Sequence, residues 1–461
     1  MSKKLAWTGV FACLALCAQP GIEGNWQGTL DVGAAKLRLG LHVTKNAQGE
    51  FSSKLDSIDQ GAMGIPVKVT TFVGTTLHLE LPNLQATYNG TLSADGSEIS
   101  GTFLQGSPFA LTFKRVATVE TLNRPQNPKP PFPYDAQDVA YETKAGIKLA
   151  GTLTLPRGAG PFPAAILITG SGPQDRDESL LGHKPFLVIA DYLTRRGIAV
   201  LRMDDRGVGG STGNSTQATL DDMADDVLAD VEYLKGRKEI DPNHIGVIGH
   251  SEGGIVGPAA AVRSPDITFV IMLAGTGVTG AEVLKLQGEE IIRASGGSDK
   301  NVADQHAMQD MIFRVLRSEK DNKAAVDKMM AEWTEMPGKK SGSVSDDAIR
   351  AQFTSVTSPE MRSFLFYDPA AALRKLKIPV LALNGSRDLQ VPPKQNLPAI
   401  QAVLAAAGNT DFTVREQPGL NHLFQKCKKC TVQEYAELEE TFSPTALEAM
   451  GDWLVKHTAA K

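Results

Sequence analysis

The sequence predicts a two-domain chain: a small antiparallel β-domain, either a barrel or a sandwich, followed by an α/β domain with a mostly parallel sheet. Three observations support this prediction. Short strands that alternate apolar and polar residues fill 22–116, a proline-rich segment follows in 117–135, and apolar strands then alternate with helices over 136–461. At 461 residues the chain is long enough for more than one domain.

Residues 1–18 have the pattern of a secretory signal peptide. Lys3 and Lys4 precede an apolar run over 5–16, which is too short to span a bilayer and is followed by small residues. We therefore expect an exported protein, periplasmic or secreted, with no membrane span. Two other interpretations remain: lipidation of Cys17, disfavoured by the bulky Leu16 before it, and an N-terminal helix of the mature fold.

The composition argues against a nucleic-acid partner. A net charge of −5 produces no general field that would attract nucleic acid. We predict neither a metal ion nor a cofactor, and the oligomeric state stays open.

The β-domain prediction depends on period-two segments separated by turn residues. Examples are 37–43, 76–81 and 109–113, with turns such as 46–49 and 94–96 between them. About eight strands fit into 22–116, and the region has no cluster of titratable groups. We interpret it as a binding or interaction module rather than a purely structural lid.

The α/β domain contains six candidate buried strands, at 164–168, 198–203, 244–248, 269–273, 380–383 and 412–414. Helical stretches such as 220–235 and 253–262 separate them, which is typical of a sheet covered on both faces. The alternation breaks over about 281–368, a charged helical stretch with several methionines. An insertion at this point is expected to form a cap. Its apolar residues at helical spacing either cover an acyl chain or pack the cap onto the sheet; they are Met308, Met311, Ile312 and Val315.

The pattern Gly-x-Ser-x-Gly occurs twice, and its context separates the two copies. The copy around Ser251 follows an apolar strand and precedes a run of small residues, as a nucleophile elbow between a strand and a helix requires. The copy around Ser211 abuts no apolar strand and is predicted to lie in a loop. Ser251 is therefore the predicted nucleophile.

A serine nucleophile needs a base to take its proton and an acid to orient that base. In enzymes with this elbow the acid and the histidine follow the serine in that order. Asp388 ends a turn after the strand at 380–383, and His422 follows the strand at 412–414. His457, near the C-terminus, is the other histidine downstream. We predict Asp388 as the acid and His422 as the base.

The remaining candidates near the nucleophile have supporting roles. Oxyanion donors are expected from the backbone N–H of Glu252 and from Ser171 or Gly172, in the loop after the strand at 164–168. His250 is interpreted as support for the site. His183 lies in the loop after the strand at 164–168, and two orientations stay open for it: facing the cleft or pointing away from it. Asp175, Arg176 and Asp177 are expected to brace the loop by ion pairing.

Cys427 and Cys430 are the two cysteines outside the signal segment. In an exported protein so close a pair is most often a local disulfide, and two thiols alone do not complete a zinc site. We predict a bridge between them.

Five motifs in order resemble bacterial S9-like α/β-hydrolases, carboxylesterases related to prolyl-oligopeptidase-type peptidases and serine aminopeptidases. The motifs lie at 170–176, 204–211, 249–254, 385–388 and 420–422, and the resemblance covers about 137–461. It implies an α/β-hydrolase fold with a helical cap and an activity toward small-molecule esters of short or medium acyl chains.

Two alternatives to a carboxylesterase stay open. One is an aminopeptidase or acyl-peptide hydrolase, which needs acidic groups to bind the substrate's amino terminus; the insertion offers Glu289, Glu290, Glu332 and Glu335. The other is a catalytically inactive binding protein, which the intact order of serine, acid and histidine disfavours.

Overall fold

The computed structural model describes residues 21–32, 36–336 and 345–459. The predicted signal peptide at 1–18, with Cys17, lies outside these residues. The chain divides into two compact units after Leu122, within the segment predicted as a linker. No helix in the described ranges has both the length and the apolar character needed to cross a membrane.

The first unit is one antiparallel sheet of nine strands, in the spatial order β4-β3-β2-β1-β9-β8-β7-β6-β5. The sheet curls so that its two ends approach each other: Thr70 Oγ1, on the end strand β5, donates to Ser53 Oγ, on β3 near the other end, at 3.0 Å. The strands are β1 Gly24–Asp31, β2 Lys36–Lys45, β3 Phe51–Ser57, β4 Ala62–Pro66, β5 Val69–Val73, β6 Thr76–Leu81, β7 Ala86–Leu92, β8 Glu98–Gln105 and β9 Ser107–Val116.

Alternation of apolar and polar residues explains this sheet. Along β7 every second residue is buried, and the inward side chains form one core that includes Trp26, Leu41, Leu77 and Phe113. The Tyr88 hydroxyl donates to backbone carbonyls within this core, which satisfies its polar end. The curled single sheet corresponds to the predicted barrel rather than to the predicted sandwich.

The second unit contains an eight-stranded sheet in the order β10-β11-β13-β12-β14-β15-β16-β17. β11 runs antiparallel to both of its neighbours, β10 and β13, and all other neighbouring strands pair in parallel. The strands are β10 Asp135–Glu142, β11 Lys148–Leu155, β12 Phe162–Ile168, β13 Ala199–Met203, β14 Ile240–His250, β15 Ile267–Leu273, β16 Val380–Gly385 and β17 Phe412–Gln417. Six of them coincide with the predicted strands, and β10 and β11 were not predicted.

Helices cover both faces of this sheet, and a separate apolar cluster lies on each face. Their ends follow local signals: α2 starts at a capping box between Thr219 and Asp222 and stops at Gly236. The helices are α1 Pro185–Arg195, α2 Leu220–Lys235, α3 Gly253–Ala261, α4 Gly280–Ala294, α5 Asp299–Ser318, α6 Asn322–Glu335, α7 Asp346–Ser355, α8 Pro359–Phe366, α9 Pro369–Leu373, α10 Pro393–Ala406 and α11 Pro444–Thr458.

Helices α4 to α8 form the insertion between β15 and β16. Met311, Ile312 and Val315 are buried there in a cluster made by the insertion's own helices, and Met308 is partly buried against it. These residues pack the helices of the insertion against one another. Neither predicted role, covering an acyl chain or packing the cap onto the sheet, is therefore supported. The parallel sheet, the flanking helices and the inserted helices confirm the predicted fold class.

Candidate active site

The candidate residues lie where strands of the parallel sheet end. Ser251 follows β14, Asp388 follows β16 and His422 follows β17, while the loop 169–174 follows β12. Because neighbouring parallel strands end on the same edge of a sheet, these four segments meet there.

Ser251 occupies a sharp turn between β14 and α3. Its φ is 53°, in the left-handed region that a serine rarely adopts, and its backbone N–H donates to the carbonyl of Leu273 at 2.8 Å. The glycines of the motif permit this turn. A Cβ at Gly249 would overlap the carbonyl of Gly253, and a Cβ at Gly253 would overlap the carbonyl of Ile168. The turn has the strained geometry of a nucleophile elbow.

Asp388 and His422 form a buried pair. His422 Nδ1 lies 2.8 Å from Asp388 Oδ2, and the Asp388 side chain is 0% exposed. The other carboxylate oxygen accepts the backbone N–H groups of Gln390 and Val391, at 2.8 and 2.9 Å. These bonds hold the carboxylate in one orientation, so the imidazole Nδ1–H has a fixed acceptor and Nε2 is left to accept a proton.

His250, directly before Ser251, connects the serine segment to the histidine segment. Its Nε2 lies 3.0 Å from the backbone carbonyl of His422, and its Nδ1 lies 2.8 Å from Glu178 Oε1. Both neighbours are hydrogen-bond acceptors, an arrangement that favours the doubly protonated imidazolium form of His250. Burial lowers the pKa of His250, but the Glu178 carboxylate and the two hydrogen bonds outweigh it and leave the pKa raised.

Glu178 extends this connection to the loop after β12. The same Oε1 atom also accepts the backbone N–H of Gly170, at 2.8 Å. A Cβ built on Gly170 would lie 3.3 Å from Ser251 Cβ, so the loop runs directly beside the nucleophile. Sequence reasoning missed Glu178, since it belongs to no motif; its position in the loop after β12 is the one signal that pointed toward the site.

The structure distinguishes among the predicted oxyanion donors. Within the described residues, the backbone N–H groups of Glu252 and Ser171 have no hydrogen-bond acceptor. The N–H of Gly172, by contrast, points to Glu360 Oε1 at 3.3 Å, on helix α8 of the insertion. The geometry thus favours Ser171 over Gly172 as the partner of Glu252.

The charged residues of the 175–177 stretch brace the loop, as the sequence analysis expected. Arg176 binds Asp204 at 2.7 Å, and Asp177 pairs with Arg202. Asp175 accepts the backbone N–H groups of Asp177 and Ser179.

Three candidates from the sequence lie outside the site. Ser211 is buried, and its hydroxyl donates to the carbonyl of Asp204 at 2.8 Å. His183 is 0% exposed, and burial lowers its pKa to about 4, so it is a neutral core residue and does not face the cleft. His457 stacks on Trp453 in α11.

The predicted bridge between Cys427 and Cys430 is present, with a Cα–Cα distance of 5.0 Å. It lies in the loop after His422. Glu434 accepts the backbone N–H groups of Lys428, Lys429 and Cys430, which ties this loop to the following turn.

Comparison with known proteins agrees with this geometry. A family described as serine aminopeptidase, S33, matches residues 185–333. Esterase EstD of Thermotoga maritima is 28% identical over 373 residues, which cover 80% of this chain and 79% of that protein. An uncharacterized protein of Mycobacterium tuberculosis is 31% identical over 135 residues, or 29% of this chain and 44% of that protein.

Solved structures with a similar fold include two esterases. The Pyrococcus furiosus esterase Pf2001 has a TM-score of 0.44 and 17% identity, covering 74% of this chain and 100% of that chain. Est1E from Butyrivibrio proteoclasticus, solved with ferulic acid, has a TM-score of 0.41 and 19% identity, covering 70% and 100%.

The topology of the second unit, the strained serine between β14 and α3, and the sequence relatives agree with one another. The chain is a serine hydrolase with an α/β-hydrolase fold.

Proposed function

We propose that the protein hydrolyses carboxylic esters of short or medium acyl chains through an acyl-enzyme on Ser251. The observation that carries the proposal is the buried Asp388–His422 pair beside the strained Ser251 turn. The name of the Thermotoga maritima relative, an esterase, supports the same substrate class.

In the proposed first half-reaction, His422 Nε2 takes the Ser251 hydroxyl proton as Oγ attacks the ester carbonyl. The backbone N–H groups of Glu252 and Ser171 donate to the resulting oxyanion. The imidazolium of His422, stabilised by Asp388, then returns the proton to the alcohol oxygen as the C–O bond breaks. Water attacks the acyl-enzyme by the same route, releasing the acid and restoring Ser251.

A cavity lies beside the loop 169–172, which runs next to Ser251. Thr169, Gly170 and Gly172 form one wall of it. Aliphatic and thioether side chains form other walls, namely Leu149, Leu167, Met203, Met223, Val227 and Val256. Charged side chains also line it, namely Asp204, Asp205, Arg206, Asp226 and Asp230, whereas Ser251 and His422 are not among the lining residues.

A comparison of esters with amides tests the proposal. The amine leaving group of an amide is poorer than an alkoxide and must be protonated, so tight positioning of the substrate is also needed. We expect kcat/KM for 4-nitrophenyl esters of graded chain length to exceed that for aminoacyl 4-nitroanilides by at least about 100-fold, roughly 2.7 kcal/mol.

Comparable kcat/KM values for the two substrate classes, or higher values for the nitroanilides, would favour an aminopeptidase or acyl-peptide hydrolase. The description of the matching family names an aminopeptidase. Absence of turnover on both substrate classes, together with no fluorophosphonate labelling, would favour the inactive binding protein. The Ser251→Ala variant is the control for background hydrolysis.

We further propose that the protein is exported, on the basis of the charged and apolar pattern in 1–18. Fractionation of cells that express the full chain, with mass spectrometry of the mature N-terminus, tests this. A mature protein beginning at a lipid-modified Cys17 would support the anchored form, and retention of residues 1–18 in the cytoplasm would contradict export.

A further inference from the structure

Residues 123–127, the strap, open the second unit, and two of their side chains bind loops that lead to the active site. The first loop, 178–183, lies between β12 and α1. The second loop, 436–442, lies between the disulfide and α11. The strap belongs to the segment that the sequence predicted as a linker, so these contacts were not expected.

Arg124 of the strap binds both loops at once. It is 9% exposed, and its Nη2 donates to the carbonyls of Leu181 in the first loop and Ala436 in the second, at 2.8 and 2.9 Å. Its Nη1 donates to the carbonyl of Leu438 at 2.7 Å. A buried guanidinium remains charged, so separating it from these carbonyls would leave a charge without compensation. One planar group therefore holds the two loops together.

Gln126 attaches the strap to the second loop a second time. Its Oε1 accepts the backbone N–H groups of Thr441 and Phe442, at 2.5 and 3.1 Å, and its Nε2 donates to the carbonyl of Phe442 at 2.7 Å. The amide thus satisfies both backbone groups of Phe442. The next residue, Ser443, donates its N–H to the carbonyl of Phe424 at 2.8 Å, in the turn that carries the predicted base.

The first loop carries Glu178, which bonds to His250 and to the N–H of Gly170 beside the nucleophile. Glu178 has a φ of 53° and Leu181 a φ of 54°, in the left-handed region that such residues rarely adopt. Conformations of this kind persist only where the surrounding contacts determine them. The bond from Arg124 to the Leu181 carbonyl is one of those contacts.

The second loop reaches His422 through a row of buried polar side chains. Thr441 Oγ1 lies 2.9 Å from His183 Nδ1, and His183 Nε2 lies 3.0 Å from Gln425 Nε2. Gln425 Oε1 accepts a hydrogen bond from Asn421 Nδ2 at 2.9 Å. Thr441, His183, Gln425 and Asn421 are all 0% exposed. Buried polar groups connected in this way resist displacement, because moving one leaves its partner unsatisfied.

Asn421 directly precedes His422 and shapes its turn. The Asn421 Oδ1 atom accepts the backbone N–H groups of Leu423 and Gln425, at 3.0 and 2.9 Å. The orientation of the His422 backbone therefore depends on the same side chains that connect to the second loop.

We infer that Arg124 and Gln126 are positioning residues for His422. The strap acts through the two loops and does not contact the reacting atoms. The inference rests on the proposed ester hydrolysis, in which His422 takes the Ser251 proton. Because a displacement of about 1 Å at a catalytic group can lower the rate about 100-fold, loss of the strap contacts should lower kcat and leave KM nearly unchanged.

Arg124→Ala and Gln126→Ala, each in the full chain, test the strap. On a 4-nitrophenyl ester we expect kcat to fall at least about tenfold in Arg124→Ala and at least about fivefold in Gln126→Ala, with KM changed by less than about threefold. The rate constant for fluorophosphonate labelling of Ser251 should fall in the same proportion, since labelling also requires His422 to activate the serine. Both are measured well below the unfolding temperature of each variant.

Free guanidinium gives a readout that a general loss of stability would not give. The ion has the shape and charge of the group that Arg124→Ala removes. Millimolar guanidinium chloride should raise kcat of this variant at least about threefold, and sodium chloride at the same concentration should not. The kcat of Gln126→Ala should not respond.

Arg196→Ala is the matched control. Arg196 also joins separate segments, since its Nη1 donates to the Tyr192 hydroxyl in α1 at 2.7 Å and its Nη2 to Asp452 in α11 at 2.6 Å. It follows the last residue of α1, whereas the first loop precedes this helix. We expect its kcat to lie within about twofold of the wild-type value.

The outcomes separate this inference from the proposed function. A kcat within about twofold of wild type in both folded strap variants, a loss confined to KM, or an equal loss in Arg196→Ala would overturn the role of the strap. If Arg124→Ala does not fold, Gln126→Ala decides. Absence of ester turnover in the wild type would overturn the proposed ester hydrolysis, and the labelling rate constants would then decide the role of the strap. A wild type that is neither active nor labelled would overturn both.

Discussion

The Glu178→Gln substitution tests whether the buried link between Glu178 and His250 positions the active site. Glu178 Oε1 accepts the Gly170 N–H and the His250 Nδ1–H, and His250 donates in turn to the carbonyl of His422. This one carboxylate thus holds both the loop beside the nucleophile and the backbone of the predicted base.

The magnitude follows from the bonds that are lost. An uncharged amide leaves the His250 imidazolium buried without its counterion, so the ring loses a proton and one of its two donors. A hydrogen bond to a charged group contributes about 1.5–3 kcal/mol. We expect the free energy of unfolding to fall by about 2–3 kcal/mol, with kcat reduced at least about tenfold and KM little changed, because positioning rather than substrate binding is impaired.

The loss of stability in Glu178→Gln should depend on pH in a defined direction. The pKa of His250 is raised in the folded protein above its ordinary 6.5. Its contribution to stability is therefore fully present below pH 6.5 and is lost as the pH rises through the folded pKa. The difference in unfolding free energy between wild type and Glu178→Gln should be largest at about pH 5.5–6.5 and should shrink at higher pH.

Urea unfolding at several pH values and steady-state kinetics on a 4-nitrophenyl ester measure these quantities. Glu332→Gln, in an exposed ion pair with Arg314, is the control and should change stability by less than about 1 kcal/mol. A Glu178→Gln protein with wild-type stability and kcat, or a stability difference that grows with pH, would refute the imidazolium assignment.

Three further predictions concern the nucleophile, the acid and the disulfide. Ser251→Ala should abolish fluorophosphonate labelling and reduce ester turnover by several orders of magnitude without unfolding the protein, while Ser211→Ala should still be labelled; labelling of the first variant would mean that another residue is the nucleophile. Asp388→Asn should lower kcat by about 10⁴-fold, because an amide stabilises the wrong tautomer of His422, and retention of more than a tenth of kcat would remove Asp388 from its proposed role. Cys427→Ser should lower the free energy of unfolding by no more than about 2 kcal/mol, since the bridge closes a very short ring; two alkylated thiols in the wild-type protein purified from an oxidising compartment would show that the bridge does not form.

Much of the second unit could be predicted because its signals are local. Apolar runs identified the six central strands, and the glycines around Ser251 identified the turn, since only glycine tolerates the backbone contacts found at Gly249 and Gly253. The strands β10 and β11 were missed. Only three of the eight residues in β10 are partly buried and none is fully buried, so its apolar pattern is weak. β11 is mostly buried, but Gly151, Thr152 and Thr154 interrupt its apolar residues.

Contacts between distant segments could not be predicted in this way. Helical spacing in the insertion showed that Met311, Ile312 and Val315 share a face, but not that this face meets α6 and α7. The acidic residues considered for binding an amino terminus illustrate the same limit. Glu289 is paired with Arg293 and Glu332 with Arg314, so these charges are already compensated on the surface of the insertion.

The two residues that flank Ser251 show why the site's electrostatics required the structure. His250 and Glu252 are both ionisable and both buried. His250 has a carboxylate and a carbonyl as partners, and its charge is satisfied within the protein. Glu252 has no such partner among the described residues, and its nearest charged neighbours are also acidic. Because consecutive side chains leave the sharp turn in different directions, His250 is held inside the protein by its two partners, whereas burial without a partner raises the pKa of Glu252 to about 8.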